Sequence, residues 1–487
     1  MGTHEHDVIV VGGGSAGCAL AARLSEDPNR RVVLLEAGPD YGTRESGRWP
    51  PEILDASDMP LDSHDWGFEG VDGARARILG GCSSHNACLV VWSPPGDHSR
   101  WVELGNEGWG FDDQLPHILR AQESIGAHLP PTDALSWFVE PFIGVVESLG
   151  YPRLSALNGP DWVPGAAVIP LNVLDGVRFN ASFAYLDPAR ERPNLTIRGD
   201  TLVDRVVIQD GRAVGVIAQG RDGSFRIDAG TILVSAGAYL SPSILHRSGI
   251  GPRSVLETIG VDVEADLAGV GRGLRDHTSV GVDVAMTTAA PHPTSRLPEV
   301  MLRMGSSLAS DLHWDTQMLI GDGWTDDART QPVLSFWLFA VDSDSVGSVV
   351  TVSQDPNILP AVTQPWTALS AHDTTLLIEA IGVAREISRA FGPSLDTELA
   401  PGRLDDLPAW VRANAGGYWH PTSTCKMGPA SDPEAVVDSR GRVHGIDGLR
   451  VVDASIFPTL PRANTNIATI AAAEFIAASM QSEIHDR

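Results

Sequence analysis

The strongest constraint on the fold is a short unit at the start of the chain, in which glycines separate an apolar run from a helical pattern. Residues 7–11 (DVIVV) are apolar and largely β-branched, which predicts a strand buried on both faces. Residues 12–17 (GGGSAG) follow, then a helical pattern over 18–27 and a second buried strand over 31–36. A strand, turn, helix and strand within about 30 residues are typical of a dinucleotide-binding βαβ unit.

The glycines of this turn have the spacing of a phosphate-binding loop. Gly12 permits the tight turn, Gly14 lets the backbone approach a pyrophosphate, and Gly17 lets the helix pack on the strand. Ser15 stands at the start of the helix, where free N–H groups favour phosphate. Glu36 ends the second strand, where it can accept hydrogen bonds from an adenosine ribose. The motif alone leaves FAD, NAD and a glycine-rich turn without a ligand all open.

Composition excludes several classes of function. The 487-residue chain has 35 Lys and Arg against 62 Asp and Glu, a formal net charge of −27. This charge argues against a nucleic-acid partner, because phosphate contacts need a basic face. No apolar run reaches about 18 residues and no signal-peptide pattern is visible, so no membrane segment is expected. The four cysteines form no CxxC pair and no zinc spacing, which favours a metal-free protein of the cytoplasm.

Further motifs follow in a fixed order along the chain. They are 77–86 (RILGGCSSHN), 237–251 (GAYLSPSILHRSGIG), 269–277 (GVGRGLRDH), 418–424 (YWHPTST), 449–458 (LRVVDASIFP) and 461–469 (PRANTNIAT). Together with the first turn they resemble the glucose–methanol–choline (GMC) family of FAD-dependent alcohol oxidoreductases. The resemblance runs from Asp7 to about Met480, is closest to the choline oxidase branch over 82–86, and is weakest over 279–415.

The resemblance implies the fold and its division. The fold class is α/β, with a Rossmann-like FAD-binding domain and a second α+β substrate domain built on an antiparallel sheet covered by helices. The expected FAD-binding domain is discontinuous, and short strands over 203–208, 213–218 and 231–238 would belong to it. Helical patterns over 372–391 and 467–484 and a strand over 349–353 complete the coarse prediction. The expected bounds are 1–135, 195–277 and 418–487 for the FAD-binding domain, and 136–194 and 278–417 for the substrate domain.

The resemblance also implies which residues bind FAD. The ADP half would contact the first turn and Glu36, and the backbone of Val203 would contact the adenine. The loop from Gly80 to Asn86 would lie along the flavin. Asp453 and Ala454 would lie near the ribityl chain and the pyrophosphate. The cofactor-binding residues implied in this way are Gly12, Gly14, Ser15, Gly17, Glu36, Gly81, His85, Asn86, Ala87, Val203, Asp453, Ala454 and Asn464.

His420 and Asn464 carry the expected chemistry. By the resemblance, His420 is the catalytic base beside flavin N5, and Asn464 is its partner. Oxidation of an alcohol removes a hydroxyl proton and a hydride from one carbon atom, and a histidine titrates near working pH, so it can take the proton. An amide donates a hydrogen bond to the developing alkoxide. His277, next to Asp276, is expected to order a loop near the flavin instead of doing chemistry.

In the choline oxidase branch, the histidine of the GGCSSHN loop bonds to the flavin 8α-methyl carbon. The chain has the same seven residues over 80–86, with His85 in that place. The resemblance therefore implies a covalent bond between His85 and FAD. The alternative is a histidine that hydrogen-bonds near the dimethylbenzene edge of a dissociable cofactor.

The substrate pocket departs from the choline oxidase branch at two positions. Ser279 stands where that branch has a glutamate facing the substrate ammonium, and Ala87 stands where it has a hydroxyl. Asp283 is either a substitute for the glutamate or a residue of a strand face. A polar or aromatic primary alcohol, or a sugar-like polyol, is therefore expected before choline. Five aromatic residues could wall the pocket or fill the core, with the core favoured for all but Trp419: Trp66, Phe68, Trp92, Trp337 and Trp419. The residues named as candidate substrate contacts are Trp66, Trp419 and Ser279.

Two rival functions share the same fold. One is a lyase of the hydroxynitrile lyase type, in which FAD takes no part in redox chemistry. The other is a flavin-binding protein without turnover, against which the pair of His420 and Asn464 argues. The sequence leaves three questions open: which alcohol is oxidised, whether oxygen or another molecule accepts the electrons, and whether the protein is a monomer or a homodimer.

Overall fold

A computed structural model describes residues 5–71, 73–287, 297–310, 314–322 and 332–485. Most of its secondary structure belongs to two large sheets and the helices packed on them. The α-helices of these residues are α1 (Ser15–Leu24), α2 (Pro51–Leu54), α3 (Pro95–Glu103), α4 (Phe111–Ser124), α5 (Val139–Ser148), α6 (Gly237–Arg247), α7 (Arg253–Ile259), α8 (Ala371–Ala390), α9 (Leu407–Asn414) and α10 (Thr465–His485).

The strands of the described residues range from two-residue pairs to the long strand that ends at Val234. They are β1 (His6–Val11), β2 (Val32–Leu35), β3 (Gly165–Val168), β4 (Val173–Leu174), β5 (Val177–Arg178), β6 (Leu195–Arg198), β7 (Leu202–Gln209), β8 (Arg212–Gly220), β9 (Gly223–Val234), β10 (Ile250–Gly251), β11 (Ala265–Asp266), β12 (Arg272–Leu274), β13 (Thr278–Met286), β14 (Val300–Met304), β15 (Thr316–Gly321), β16 (Val333–Ala340), β17 (Gly347–Val350), β18 (Ala361–Thr363), β19 (Leu395–Ala400), β20 (Gly416–Gly417) and β21 (Leu449–Val451).

The first sheet confirms the parallel unit predicted from the opening residues. Its order is β6-β2-β1-β9-β8-β7, with β21 also paired to β9. The strands β6, β2, β1, β9 and β21 run parallel, whereas β7, β8 and β9 form an antiparallel meander. Ile9 and Val10 are wholly buried because successive side chains of β1 point to opposite, covered faces. The largest hydrophobic core includes β1, β2, β9, α1 and α10.

The second large sheet is antiparallel, with the order β19-β13-β16-β15-β14-β3 and β20 beside β13. Side chains alternate across a strand, so its two faces have different partners. One face, which includes Phe336 and Leu338, packs against α5 and α8 in a second core. The other face, which includes Trp337 and Phe339, lines a cavity. The helix-covered antiparallel sheet confirms the expected fold class.

Local predictions are confirmed with shifts at the ends. The helical pattern over 372–391 is α8, which begins earlier because Ser370 Oγ accepts the backbone N–H of Asp373. The strand expected over 349–353 is β17, which ends at Val350. The first sheet takes residues from 6–35, 195–234 and 449–451, and the second from 165–168, 278–340 and 395–417. The domain bounds given above stay a prediction.

No helix in the described ranges is long and apolar enough to cross a membrane.

Candidate active site

The parallel strands end together at one edge of the first sheet. Val11 pairs with Leu35 on one side and with Val234 on the other, and Val451 pairs with Val234. The residues that follow these strands therefore meet, which is where open α/β sheets bind ligands. Those residues are Gly12, Glu36, Ser235 and Asp453.

The Glu36 carboxylate is fixed by the backbone of the two neighbouring turns. Its Oε2 accepts the N–H of Gly13 and its Oε1 accepts the N–H of Gly38, each at 2.7 Å. Burial raises the pKa of this carboxyl, while the two N–H donors lower it. Each oxygen has a further lone pair, and Glu36 lines the cavity, so it can accept hydrogen bonds from sugar hydroxyls there.

Helix α1 begins at the same edge without a capping side chain. No side chain caps its first N–H groups at Gly14, so these donors remain for an anion. The protein atom nearest to a Cβ added at Gly14 would lie 3.8 Å away, which leaves space beside the backbone. A Cβ at Gly17 would instead lie 1.8 Å from the Gly12 carbonyl oxygen, so this position must be glycine for helix and turn to pack. Both features suit a pyrophosphate at the helix start.

The start of α10 lies beside that of α1. Ser15 Oγ donates a hydrogen bond to Asn466 Oδ1 at 2.6 Å. Thr465 and Asn466 also line the cavity, and this longer helix directs its N-terminal dipole end to the same place. The sequence motif PRANTNIAT contained both residues, but only Asn464 was singled out from it.

The loop from Gly80 to Asn86 is braced by its own serines. Ser83 Oγ donates to the Gly80 carbonyl oxygen at 2.6 Å and accepts the N–H of Ala181 at 2.9 Å. His85 is 4% exposed, and neither of its ring nitrogens has a hydrogen-bond partner. Burial lowers the pKa of His85 to about 4, with a smaller contribution from the Arg178 cation. The cavity wall therefore presents a neutral imidazole with two unpaired nitrogens.

One cavity of about 500 Å³ brings nearly all the sequence-predicted residues together. Gly17 is the exception, because it packs α1 on the first turn. The predicted residues that line the cavity are Gly12, Gly14, Ser15, Glu36, Trp66, Gly81, His85, Asn86, Ala87, Val203, Ser279, Trp419, His420, Asp453, Ala454 and Asn464.

His420 and Asn464 lie next to each other on the wall of this cavity. Asn464 Nδ2 lies 3.4 Å from His420 Nε2 and donates to the Tyr418 hydroxyl at 3.2 Å. Tyr418 in turn stacks on Phe339 of the second sheet, with ring centroids 3.6 Å apart. Trp419, between Tyr418 and His420, has a φ of 63°, a left-handed conformation that a bulky residue rarely adopts. This bend lets three successive side chains line the cavity.

The other side of the His420 ring contacts a second histidine. His277 Nδ1 lies 2.9 Å from His420 Nδ1, and the backbone N–H of His420 donates to Asp276 Oδ1 at 2.9 Å. His277 therefore contacts the predicted base directly, and its expected role in ordering a loop near the flavin stays a prediction. The contact itself was not predicted, because no local pattern links His277 to a residue more than a hundred positions away.

Burial and neighbouring groups keep the His420 ring uncharged. The pKa of His420 lies well below its ordinary value, first because of burial, then because of His277 and the Arg75 cation. Arg75 is a buried cation on the cavity wall whose Nη1 donates to the Trp419 carbonyl oxygen at 3.2 Å. Burial also raises the pKa of Asp276 to about 7, although Arg75 lowers it. Sequence analysis missed Arg75, and its place two residues before the RILGG motif was the available signal.

Aromatic residues wall the part of the cavity that lies against the second sheet. Trp66, Phe68 and Trp337 line it together with Trp419. Phe68 and Trp337 also pack against hydrophobic clusters, so these two residues serve both pocket and core. Trp92 does belong to the core and is 8% exposed. Hydrophobic periodicity could not distinguish the aromatic residues that line the cavity from Trp92 in the core, because the loop carrying Trp66 and the strand carrying Trp337 meet only in the folded chain.

Ser279 and Asp283 have different surroundings although both lie on β13. Ser279 lines the cavity, and its Oγ donates to the Gly417 carbonyl oxygen at 3.1 Å. Asp283 accepts a hydrogen bond from Ser335 Oγ at 2.7 Å and is not among the lining residues. The position in the strand thus favours the strand-face alternative for Asp283.

A glycine-rich turn with an uncapped helix start, a buried carboxylate and a histidine–amide pair meet in one cavity, which is the arrangement expected of a flavin-dependent oxidoreductase. Comparison with known families agrees, since GMC oxidoreductase models match residues 6–279 and 343–473. The chain belongs to the GMC oxidoreductase family, whose members bind FAD.

The relatives most similar to this chain are oxidases and dehydrogenases. It is 32% identical to mitochondrial choline dehydrogenase of Mus musculus, over 97% of this chain and 89% of that protein. It is 32% identical to 5-(hydroxymethyl)furfural oxidase of Methylovorus sp. (strain MP688), over 97% of this chain and 98% of that protein. The crystal structure of pyridoxine 4-oxidase from Mesorbium loti superposes with a TM-score of 0.88 at 31% identity, covering 98% and 99% of the two chains. These comparisons give no support to the lyase alternative.

Proposed function

We propose that this chain oxidises a polar or aromatic primary alcohol, or a sugar-like polyol, to the carbonyl compound, with His420 as the base. The observation that carries the proposal is the pairing of His420 Nε2 with Asn464 Nδ2 on the wall of the cavity that also holds the phosphate-binding turn. FAD-dependent oxidation by the GMC family supplies the reaction type. The site residues named here are part of the proposal.

The proposed chemistry divides between the two side chains. His420 is neutral because burial lowers its pKa, so Nε2 can take the hydroxyl proton of the alcohol. Asn464 donates its amide N–H to the oxygen on which negative charge develops. The aromatic residues around them exclude water, which strengthens both interactions. When bound, the isoalloxazine ring of FAD supplies the acceptor for the hydride that leaves the carbinol carbon.

The residues at the sheet edge fit the rest of the cofactor. The uncapped start of α1 would hold the pyrophosphate, and Glu36 would hold the adenosine ribose. Val203 lines the same part of the cavity and would contact the adenine. Asp453 accepts from Gly237 N–H and Ser241 Oγ, which fixes the turn beside Ala454 next to the proposed ribityl chain. The two proposed domains, with the bounds given above, would then each supply one side of the site.

We propose in addition that His85 bonds covalently to the 8α-methyl carbon of FAD. Its support is the neutral imidazole, buried on the cavity wall, whose two ring nitrogens have no partner. A neutral imidazole is a competent nucleophile, whereas an imidazolium is not. Formation of one N–C bond would replace a C–H bond of the 8α-methyl group, with loss of its proton. The electron pair of that C–H bond would pass to the flavin ring, and the electron acceptor of the enzyme would then reoxidise it.

The lining of the cavity supports a neutral alcohol. The acidic residues among the lining are Glu36 and Asp453, and both lie at the sheet edge with their oxygens hydrogen-bonded to the backbone. Apart from the Arg75 cation, the described lining residues beside His420 are aromatic, apolar or neutral, with Ser279 where the choline oxidase branch has its glutamate. Two of the relatives are named as oxidases of an aromatic alcohol, 5-(hydroxymethyl)furfural and pyridoxine.

A quaternary ammonium alcohol is the second candidate. The rings of Trp66, Trp337 and Trp419 line the cavity, and aromatic faces attract such cations by about 0.5–2 kcal/mol each. The choline dehydrogenases among the relatives point to the same class. The missing carboxylate at Ser279 places this candidate second.

An alcohol panel tests the proposal and separates the two candidates. The panel contains benzyl alcohol, 5-(hydroxymethyl)furfural, pyridoxine, a polyol and choline, and flavin bleaching is recorded without oxygen. Peroxide and dye reduction are then measured in parallel to identify the electron acceptor. Bleaching by an aromatic or polar alcohol is expected. The lowest Michaelis constant for choline would overturn the preferred substrate class, and no bleaching by any alcohol would overturn the oxidation itself.

The remaining proposals concern the state of the protein in the cell. All four cysteines are free, which supports the reducing environment of the cytoplasm. Cell fractionation tests that location. Light scattering of the purified protein would distinguish a monomer from a homodimer, both of which the sequence leaves open.

A further inference from the structure

A row of hydrogen bonds runs from a backbone carbonyl to the proposed base. His277 Nε2 lies 2.8 Å from the Pro461 carbonyl oxygen, and His277 Nδ1 lies 2.9 Å from His420 Nδ1. The two imidazole planes are nearly perpendicular, at 89°. His277 is completely buried, so no water competes for either of its ring nitrogens.

The hydrogen bond to the Pro461 carbonyl determines which ring nitrogens of His277 and His420 carry a proton. A carbonyl oxygen only accepts hydrogen bonds, so His277 Nε2 carries a proton and donates a hydrogen bond to the Pro461 carbonyl oxygen. Burial lowers the pKa of His277 to about 4, so the ring is neutral and its Nδ1 carries no proton. That bare nitrogen is an acceptor, and His420 must therefore present Nδ1–H to it. A neutral His420 with a proton on Nδ1 has none on Nε2.

We propose that His277 is a positioning residue, which holds His420 in the Nδ1–H tautomer so that the bare Nε2 faces the alcohol. This inference rests on the proposed role of His420 as the base. Which ring nitrogen of a histidine carries the proton is set by the hydrogen bond that the other nitrogen makes. Without that bond, imidazole favours the Nε2–H tautomer, in which the nitrogen facing the alcohol cannot accept a proton.

The opposite side of the His420 ring agrees with this assignment. Asn464 Nδ2 is a donor, and it lies 3.4 Å from His420 Nε2. A bare Nε2 accepts that N–H, whereas a protonated Nε2 would oppose it. All the donations then run in one direction, from Asn464 through His420 and His277 to the carbonyl of Pro461.

Two substitutions at His277 separate tautomer control from simple packing. His277→Asn supplies an oxygen to accept from His420 and an amide to donate to Pro461, whereas His277→Leu supplies neither. The matched control is His246→Leu, which removes another completely buried histidine, bonded to Thr351 and the Val270 carbonyl. Each variant is assayed by the rate of flavin reduction per bound FAD over a range of pH.

The expected rates follow from the tautomer. The rate of flavin reduction should fall at least about 100-fold in His277→Leu, because a wrong histidine tautomer lowers the rate by up to about 10⁴-fold in a comparable catalytic triad. His277→Asn should stay within about 10-fold of wild type with an unchanged pH profile, and His246→Leu should keep the wild-type profile. Equal rates for the Leu and Asn variants would overturn the proposal.

The tautomer itself is measured on the wild-type enzyme, which keeps the test valid if a variant does not fold. With ¹⁵N-labelled histidine, the ring nitrogens of His420 are assigned by their loss in His420→Gln. A protonated Nδ1 and a bare Nε2 are expected, and a protonated Nε2 would overturn the role of His277. Failure of the proposed function has a different signature, since flavin reduction would then survive in His420→Ala whatever the tautomer.

Discussion

Asp97 and Arg462 form a buried ion pair that joins α3 to the loop carrying Asn464. Arg462 Nε lies 2.6 Å from Asp97 Oδ1, and the backbone N–H of Arg462 donates to Asp97 Oδ2 at 2.7 Å. Both side chains are at least nine-tenths buried. Asn464 comes two residues later, so this pair fixes the backbone from which the amide of the site extends.

Removal of the acid should destabilise the fold. In Asp97→Ala the Arg462 guanidinium stays buried without its partner, and we expect a loss of about 3–5 kcal/mol in the free energy of unfolding. Denaturant unfolding of the FAD-bound enzyme measures it. The matched control is Glu140→Ala, which breaks an exposed pair with Arg153 and should cost at most about 1 kcal/mol. Equal losses of unfolding free energy in Asp97→Ala and Glu140→Ala would show that the buried pair of Asp97 and Arg462 does not stabilise the fold more than an exposed pair.

Glu36→Gln should weaken FAD binding by about 10- to 100-fold. The carboxylate accepts from Gly13 and Gly38 with its two oxygens, and an amide must direct its NH₂ at one of these N–H donors. An unsatisfied buried donor costs about 1–3 kcal/mol. The dissociation constant is measured in a His85→Asn background, so that FAD exchanges. An unchanged constant would show that Glu36 does not hold the cofactor.

FAD should remain with the protein after acid denaturation. The two partnerless nitrogens of His85 and its low pKa make it the nucleophile expected for a bond to the 8α carbon. The test is acid precipitation followed by mass spectrometry of the peptide that contains His85. A yellow pellet and a mass gain equal to FAD are expected, and His85→Asn should release the flavin. All of the flavin in the wild-type supernatant would contradict the bond.

The acid limb of the pH profile should lie below pH 6.5. The base works only when neutral, and burial lowers the pKa of His420 below its ordinary value of 6.5, so the neutral form persists into more acidic solution. His277 and the Arg75 cation lower the pKa of His420 further. The Asp276 carboxyl, whose pKa is about 7, accepts a hydrogen bond from the backbone N–H of His420. The rate of flavin reduction against pH measures the limb, and a midpoint above pH 6.5 would contradict the prediction.

The sequence was sufficient for the parts of the site that are local. The turn from Gly12 to Gly17 and the loop from Gly80 to Asn86 each consist of consecutive residues, and backbone N–H groups and close glycine contacts would do the proposed binding. The sequence also predicted His420 and Asn464, since each stands within a distinctive motif, and the structure brings these two side chains together. The antiparallel sheet followed from the family resemblance more than from periodicity, which is weak over 279–415.

The sequence was insufficient where function depends on contacts between distant elements. His277 and His420 touch although a whole sheet separates them along the chain. Trp66 and Trp337 face the same cavity from a loop and from β16, and neither has a local pattern that tells pocket from core. Arg75 contacts the carbonyl of Trp419, which lies 344 positions away in the sequence, so no local pattern predicts this contact.

His420→Ala should keep FAD and lose at least about 100-fold in the rate of anaerobic flavin reduction by the best alcohol, the usual scale for removal of a general base. The cofactor should stay because the turn from Gly12 to Gly17 and Glu36 are untouched. Asn464→Ala should lose less, because it removes one hydrogen bond to the developing alkoxide and leaves the proton acceptor in place. Stopped-flow reduction normalised to bound flavin gives both rates. Unchanged reduction in His420→Ala would exclude it as the base, and a larger loss in Asn464→Ala than in His420→Ala would reverse the assigned roles.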